Sequence, residues 1–332
     1  MILGLDIGGA NLKASNGEEW SQSVPLPLWS DPDQLQPAIE TIVESRRPDV
    51  IAVTMSGELA DCYATKSDGV DQILTAVERA AGDRPIAVWQ TAGEFVPVDV
   101  AREFWTLTAA ANWHAQATWA ARCAPSGAAV LLDVGSTTTD IVPLYGGSVD
   151  SVGLTDFERL TSGELVYQGL GRTPLVAIRL DTPTGPPMAA ELFATTGDAW
   201  TVHRGDPTVW SGPTADRRPV NVDASRHRIA RQFCSDECEL PPGLVDDVAA
   251  AVCEQQIADL VAATIRVAGE RRPVVIVSGS AQPLATAVVN ELRTRGVLSD
   301  VVSLARLLSP AAASTACAFA VATLAAERLQ LP

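Results

Sequence analysis

Two stretches of the chain, Leu5-Asp-Ile-Gly-Gly-Ala-Asn-Leu-Lys13 and Leu132-Asp-Val-Gly-Ser-Thr-Thr-Thr-Asp140, share one pattern. In each, an apolar strand ends in an aspartate, a glycine turn follows, and a second strand opens with small polar residues. Glycine allows the backbone to turn sharply and to approach an anion, towards which N–H groups and hydroxyls can point. Two copies, each at the start of a domain-sized segment, predict a duplicated fold that holds a phosphate between its halves.

The polar residues of these two turns are the first candidates for a site. Asp6 and Asp133 are predicted to bind Mg²⁺, directly or through water; the alternative is that each only caps its turn through hydrogen bonds to backbone N–H groups. Close approach of a phosphate is assigned to Gly8, Gly9 and Gly135. Contacts with its oxygens are assigned to Asn11, Lys13, Ser136, Thr137 and Thr138. Lys13 is explained almost as well as an exposed strand residue.

Charge and composition narrow the classes of partner. A net charge of −16 over 332 residues argues against nucleic acid and anionic membranes, because both require clustered Lys and Arg. Six scattered cysteines predict reduced thiols, and the single C-x3-C pair at Cys234 and Cys238 is a poor zinc signature. We find no signal peptide pattern and no apolar run of about 20 residues. The expectation is a cytoplasmic protein.

The order of predicted elements indicates an α/β fold. Closely spaced strands at Ile2–Ile7, Asn11–Ser15 and 21–26 form a meander, and strands then alternate with helices, which favours parallel pairing. A second meander is predicted at 128–133, 137–143 and 148–152. Long helices are predicted over 105–123, Leu244–Ala268 and 310–329.

Glu58 and Asp61 follow directly on the buried strand Val50–Met55. In α/β folds the carboxyl ends of such strands face the ligand crevice. A carboxylate there could accept a proton as a general base, whereas the structural alternative is a cap at the start of the next helix. Lys66 lies just beyond and is a candidate contact for an anionic part of the substrate, or simply a solvated lysine.

Further segments carry a resemblance to known proteins. Together with the two Asp-Gly turns, the junction Val275-Ile-Val-Ser-Gly-Ser280 resembles the actin, sugar-kinase and heat-shock ATPase superfamily. The second turn is most similar to the hydantoinase and oxoprolinase branch. The whole set resembles the family of tetrahydromethanopterin-linked C1 transfer pathway proteins, related to methanofuran biosynthesis. The segments that narrow the match are Thr54–Asp61, 112–115, 163–169 with 172–174, 194–199, and 214–216 with 218–219.

This resemblance implies two ribonuclease-H-like lobes around a central phosphate-binding cleft. The first lobe is expected at 1–123, with the helix at 310–329 packing back on it. The second is expected at 124–309, with an insertion at about 181–242.

The resemblance also implies a transferase: a phenol of a (glutamyl-)tyramine displaces diphosphate from an aminomethylfuran-methyl carbon and forms an ether. Mg²⁺ is the expected cofactor, and the partners are the diphosphate substrate and its phenol or amine acceptor. Asp140 matches the acidic end of the second motif. Substrate or nucleotide contacts are assigned to Arg172, Asp198, Ser278, Gly279 and Ser280.

One departure bears on nucleotide use. Nucleotide-binding relatives carry two or three glycines in the adenosine turn, whereas Ser278-Gly-Ser-Ala281 has one. This favours a transferase that does not use ATP, although binding of ATP and the oligomeric state are left open. The alternatives are an ATP-dependent small-molecule kinase and a nucleotide-binding regulatory protein. The first predicts adenine nucleotide binding with turnover, and the second predicts no turnover of a small substrate.

Overall fold

The computed structural model describes residues 1–180 and 185–329; the first four residues of the predicted insertion, 181–184, lie outside the described residues. The described chain divides into two compact units. One contains Met1–Leu131, Val142–Ser162 and the chain from Val302 onward. The other contains Leu132–Ile141 and Gly163–Val301.

The first sheet has six strands in the order β3-β2-β1-β4-β5-β6. These are β1 (Ile2–Ile7), β2 (Asn11–Ser15), β3 (Ser21–Pro25), β4 (Val50–Met55), β5 (Ile86–Trp89) and β6 (Phe95–Val96). The first three strands form the predicted antiparallel meander, while β1, β4 and β5 run parallel. Every residue of β1 and β4 is buried, as expected for strands covered on both faces.

The second sheet has the order β10-β8-β7-β11-β12, with β9 paired to β8. Its strands are β7 (Ala128–Val134), β8 (Thr139–Tyr145), β9 (Ser148–Val149), β10 (Leu165–Val166), β11 (Val274–Ser278) and β12 (Asp300–Ser303). The hairpin between β8 and β9 turns at Gly146 and Gly147, both with positive φ. The two sheets confirm the α/β fold predicted from the sequence.

The helices connect and cover these strands. They are α1 (Leu35–Arg46), α2 (Lys66–Ala81), α3 (Val98–Glu103), α4 (Trp105–Thr108), α5 (Asn112–Ala120), α6 (Asp156–Ser162), α7 (Thr196–Arg204), α8 (Val222–Arg231), α9 (Leu244–Ala268), α10 (Gln282–Thr294), α11 (Leu304–Leu307), α12 (Pro310–Ser314) and α13 (Ala316–Arg328).

Two predicted helices are interrupted. The helix predicted over 105–123 is broken between α4 and α5, where Ala110 has a φ of 50°. The helix predicted over 310–329 is broken at Thr315 between α12 and α13. Both predictions were wrong in continuity, because neither stretch contains a Gly or an internal Pro to signal a break.

The last helix belongs to the first unit. Helix α13 packs against β1, and a side chain at Gly4 would overlap with the backbone carbonyl of Ala318 and with Ala322. Glycine at position 4 therefore permits close packing of helix on strand. The core beneath it includes Leu3, Leu5 and Ile51, all fully buried.

Helix α9 is the one described helix that is long and apolar enough to cross a membrane by length and composition alone. In the structure it packs against α7, α8 and α10 of the second unit. Its buried Gln256 accepts a hydrogen bond from Trp200 Nε1 at 2.9 Å. These contacts are those of a core helix in a globular unit.

Candidate functional site

Asp6 lies at the carboxyl end of β1, in register with Thr54 on β4 and with Lys13 on β2. Its side chain is 1% exposed, and Oδ2 is 3.3 Å from Lys13 Nζ. The other carboxylate oxygen, Oδ1, and the hydroxyl of Thr54 are buried and have no hydrogen-bond partner among the described residues. Leaving a buried polar atom without a partner costs about 1–3 kcal/mol. Two such atoms on adjacent strand ends indicate a place for a polar ligand.

The turn after β1 has a defined geometry. The N–H of Gly8 donates to the carbonyl of Asn11 at 3.1 Å, and the N–H groups of Ser56 and Gly57 donate to the carbonyl of Ile7 at 2.9 and 3.0 Å. A Cβ at Gly8 would lie 3.2 Å from the Asn11 oxygen, whereas a Cβ at Gly9 would meet nothing within 4 Å. The space beside Gly9 is therefore open.

Glu58 follows β4 and is 1% exposed. Oε1 lies 3.5 Å from Lys66 Nζ, while Oε2 is buried without a hydrogen-bond partner in the described chain. Burial raises the pKa of Glu58 above its ordinary value, although Lys66 and the nearby backbone of Ala110 act in the opposite direction. A buried carboxylate with a raised pKa is a typical general base.

Glu58 does not cap the helix that follows it, which was the structural alternative for this residue. Helix α2 begins at Lys66, and the side chain of Thr65 accepts the capping hydrogen bond from the N–H of Asp68. Gly69 of α2 packs so closely on Glu58 that a side chain there would overlap with the Glu58 backbone carbonyl. Asp61, the second predicted carboxylate, is exposed.

Two further contributions to this site were missed from the sequence. Asp156, at the start of α6, places Oδ2 3.4 Å from Lys66 Nζ. The break at Ala110 brings backbone close enough to affect the pKa of Glu58. The positive φ of Ala110 has no signal in the sequence. Asp156 lies 90 residues from Lys66, and only the fold brings them together.

The turn of the second unit repeats the local geometry of the first. The N–H of Gly135 donates to the carbonyl of Thr138 at 2.9 Å, and a Cβ at Gly135 would lie 3.1 Å from that oxygen. The backbone N–H of Arg172 donates to the carbonyl of Ser136 at 2.9 Å, which places Arg172 beside the turn. The hydroxyls of Ser136 and Thr137 lie 3.5 Å apart.

The late glycine junction lies beside this second turn. Gly279 has a φ of 94°, and a Cβ there would overlap with Val134 O and with Asp133 Oδ1. The N–H of Ala281 donates to the carbonyl of Val134 at 3.0 Å. Ser278 is buried and Ser280 is exposed. Asp133, Ser278 and Gly279 are therefore brought together, while Asp140 lies on β8 opposite Leu165.

Asp198 has structural partners for both carboxylate oxygens. Oδ1 accepts hydrogen bonds from Ser225 Oγ and Arg228 Nε, both at 2.8 Å, and Oδ2 accepts one from the N–H of Thr195 at 3.0 Å. Both carboxylate oxygens of Asp198 are therefore engaged within the fold.

The side chains near the first turn bear on whether a metal ion could bind. Among residues 1–180 and 185–329, no group of three or more His, Cys, Asp or Glu side chains is placed to hold a metal ion. Mg²⁺, however, is commonly bound by one or two carboxylates together with substrate phosphates and water. Oδ1 of Asp6 fits that mode, because it is an acceptor with no hydrogen-bond partner in the described part of the chain.

Comparisons with known proteins agree with this α/β frame. A model of the hydantoinase/oxoprolinase family matches residues 49–322. The chain is 32% identical over 243 residues to (4-{4-[2-(gamma-L-glutamylamino)ethyl]phenoxymethyl}furan-2-yl)methanamine synthase of Methanocaldococcus jannaschii, covering 71% of this chain and 72% of that protein. It is 39% identical over 113 residues to the protein of the same name from Methanococcus vannielii, covering 32% of this chain and 50% of that protein.

Among solved structures, acetone carboxylase aligns with a TM-score of 0.53 at 13% identity, over 97% of this chain and 70% of that chain. At this identity the likeness shows a shared fold and nothing about the reaction.

Proposed function

The chain belongs to the hydantoinase/oxoprolinase family, and from this premise we propose that it is a transferase that joins a phenol to an aminomethylfuran-methyl carbon with diphosphate as the leaving group. The similar synthase of M. jannaschii supports the proposal, since its name describes a product with a phenoxymethyl-furan ether. The acceptor class is a tyramine derivative, and the reaction belongs to the synthesis of a furan-type C1 carrier.

The observation that carries the proposal is the buried carboxylate of Glu58 with its partnerless Oε2. A phenol has a pKa of about 10, so a neutral phenol is a weak nucleophile near pH 7. Glu58 Oε2 takes the phenol proton while the phenol oxygen bonds to the furanylmethyl carbon. The bond from that carbon to diphosphate breaks, and its electron pair leaves with diphosphate. A raised pKa makes Glu58 a better base for this step.

The leaving group is assigned to the turn after β1. Asp6 would hold Mg²⁺ together with the diphosphate oxygens, and the ion would neutralise the charge that develops on the leaving group. Lys13, 3.3 Å from Asp6 Oδ2, adds a positive charge on the same strand end. The open space beside Gly9 leaves room for the diphosphate to approach the backbone.

The second turn is assigned a phosphate contact of its own. Gly135 gives it the same backbone hydrogen bond as Gly8 gives the first turn, and Ser136, Thr137 and Thr138 supply hydroxyl groups. Hydroxyls and closely approached backbone are suited to phosphate oxygens. Arg172 and Lys66 remain candidates for anionic parts of the substrates.

The experiment is a product assay with aminomethylfuran-methyl diphosphate, a tyramine acceptor and Mg²⁺. We expect diphosphate and ether in equal amounts, and no requirement for ATP. Asp6→Asn should lower the rate by about 100-fold or more, because an amide would hold Mg²⁺ much less well than a carboxylate and the charge on the leaving diphosphate would no longer be neutralised. Asp83→Asn, an exposed carboxylate of the same unit, is the matched control and should retain full rate.

The competing reaction has a distinct outcome. Release of ADP from ATP in the presence of a small acceptor, with no ether formed, would contradict the transferase and favour a kinase. Full activity of Asp6→Asn would contradict the role assigned to Asp6 but would leave the proposed transferase reaction standing.

A further inference from the structure

Helix α6 exposes apolar side chains and buries a charged one, which is the opposite of an ordinary surface helix. Phe157 is 79% exposed and Leu160 is 48% exposed, whereas Arg159 is 1% exposed. Asp156, three residues before Arg159, is 29% exposed and also turns towards the protein. A surface helix ordinarily buries its apolar residues and exposes its charges. We therefore expect these two inward-facing charges to have charged partners inside the fold.

The inward charges continue from Glu58. Glu58 Oε1 lies 3.5 Å from Lys66 Nζ, which lies 3.4 Å from Asp156 Oδ2. Asp156 Oδ1 is in turn 4.0 Å from Arg159 Nη1. The Arg159 guanidinium stacks over the Trp113 ring at 3.9 Å. The result is a row of four alternating charges that begins at the proposed base.

Lys66 is shared almost equally between two carboxylates. The two Nζ to oxygen distances differ by only 0.1 Å, from 3.4 to 3.5 Å. An ammonium group beside a single carboxylate strongly favours the charged form of that carboxylate. When a second carboxylate also pairs with the ammonium group, the effect on the first is weaker. Asp156 thus limits how firmly Lys66 neutralises Glu58.

Other groups near Glu58 also affect its charge. The backbone of Ala110, between α4 and α5, lowers its pKa. Burial raises the pKa of the Tyr63 phenol group, in the segment before α2, and the neighbouring Cys62 and Glu58 raise it further. Burial and the charge of Asp156 both raise the pKa of Glu58, while Lys66 lowers it.

We propose that Asp156 is a positioning residue that holds Lys66 partly away from Glu58, so that Glu58 remains basic enough to take the phenol proton. The proposal rests on the proposed function for its catalytic meaning. It does not place Asp156 in contact with substrate. Asp156 acts through Lys66, and Arg159 lies on the far side of Asp156 at 4.0 Å.

The test compares the pH dependence of kcat/KM in four forms: the unchanged chain, Asp156→Asn, Lys66→Met and the double variant. In Asp156→Asn, Lys66 pairs with Glu58 alone, so the acid limb should move down by about one pH unit and kcat should fall several-fold. In Lys66→Met the acid limb should move up. In the Lys66→Met background, Asp156→Asn should cause less than half of its original shift, because the residue through which it acts is missing.

A direct titration separates this proposal from the proposed function. The Glu58 carboxyl carbon is labelled with ¹³C and followed by NMR, with Glu58→Gln used to assign the signal. The shift to lower pH in Asp156→Asn should appear here even in a chain without transferase activity. Phe157→Ser, exposed on the same helix, is the control and should leave the titration unchanged.

Two results would overturn the proposal. One is an unchanged Glu58 titration in Asp156→Asn. The other is a shift of the same size with and without Lys66, since that would show a direct effect of the Asp156 charge. Failure to detect ether formation, with the expected titration shifts, would contradict the proposed function and leave the positioning of Lys66 supported.

Discussion

Glu58 and Asp198 are both carboxylates with 1% of their surface exposed, but their partners give them different properties. Asp198 has hydrogen bonds to both oxygens and an ion pair with the equally buried Arg228 at 2.7 Å. Glu58 has one oxygen beside Lys66, and its other oxygen has no hydrogen-bond partner among residues 1–180 and 185–329. Asp198, whose two oxygens both have hydrogen-bond partners, stabilises the fold. Glu58, with one oxygen that lacks such a partner among the described residues, is available to accept a proton.

Removing the charge of Asp198 should therefore be costly to stability. Asp198→Asn leaves the Arg228 guanidinium buried with a weakened partner, and we expect the free energy of unfolding to fall by about 3–5 kcal/mol. Urea unfolding followed by circular dichroism measures this. Asp246→Asn is the comparison. Asp246 of α9 pairs with Arg226, which lies on helix α8 as Arg228 does, but the Asp246 side chain is 57% exposed. Its loss should be about 1 kcal/mol or less, and equal losses would contradict this account.

Among single residues, the sequence pointed to part of the candidate site. Glu58 and Lys66 were found from their place after a buried strand, because strand ends in α/β folds face ligands. The same argument could not rank Glu58 above Asp61; burial decides that, and burial depends on the packing of Gly69 against the Glu58 backbone. Asp156 was missed because no local pattern connects it with Lys66.

Among the elements, the break between α4 and α5 matters most for the site. Ala110 is in the left-handed region, with a φ of 50°, where an L-residue costs about 1–2 kcal/mol. The conformation brings its backbone towards Glu58. Strain of this kind persists where surrounding structure enforces it and is common at functional sites.

The strain at Ala110 can be measured. Ala110→Gly should raise the free energy of unfolding by about 1 kcal/mol or leave it unchanged, because glycine adopts positive φ freely. Ala111→Gly is the matched control: its φ is −84°, so glycine relieves no strain there, and loss of the fully buried methyl group should lower stability by about 1 kcal/mol. Thermal and urea unfolding of the two variants decide the matter. A loss of stability in Ala110→Gly as large as in Ala111→Gly would show that no strain is stored there.

Element prediction succeeded where hydrophobic patterning and stop signals agreed. Helix α9 has the predicted bounds, Leu244–Ala268, because Gly269 ends it. The breaks at Ala110 and Thr315 were missed because alanine-rich sequence has a high helix propensity. Only tertiary packing interrupts the helix at these two positions.

For the molecule as a whole, His114 links stability to pH. It is buried beside Trp89 and Trp113, and burial, with smaller effects of Arg159 and Arg328, lowers its pKa to about 4. The unfolded chain binds the proton near pH 6.5. The stability that neutral His114 contributes is therefore fully present above about pH 6.5 and is lost as the pH falls to about 4.

The measurement is the free energy of unfolding of the unchanged chain and of His114→Gln between pH 7.5 and 4. The advantage of the unchanged chain should shrink by up to about 3 kcal/mol towards pH 4. Taking the difference between the two proteins removes the opposite trend expected from Glu58, whose pKa is raised. His227→Gln, at an exposed position, should follow the unchanged chain. A pH-independent difference for His114→Gln would contradict the assignment.

The α/β fold was predictable because the duplicated Asp-Gly turn and the alternation of strands with helices are both visible in the sequence. The corresponding hydrogen bonds of Gly8 and Gly135, at 3.1 and 2.9 Å, show that the two turns are also alike in geometry. What the repeat could not reveal is the difference between the units. The buried carboxylate with a partnerless oxygen after β4 belongs to the first unit and depends on contacts with α2 and the Ala110 break.

The central claim is that the buried carboxylate of Glu58 accepts the phenol proton. Its most direct test is single-turnover diphosphate release by Glu58→Gln, with Glu44→Gln, an exposed glutamate of α1, as the control. We predict that Glu58→Gln releases diphosphate at least about 100-fold more slowly, with an unchanged circular dichroism spectrum, and that Glu44→Gln matches the unchanged chain. Release by Glu58→Gln within a few-fold of the unchanged rate would contradict the claim.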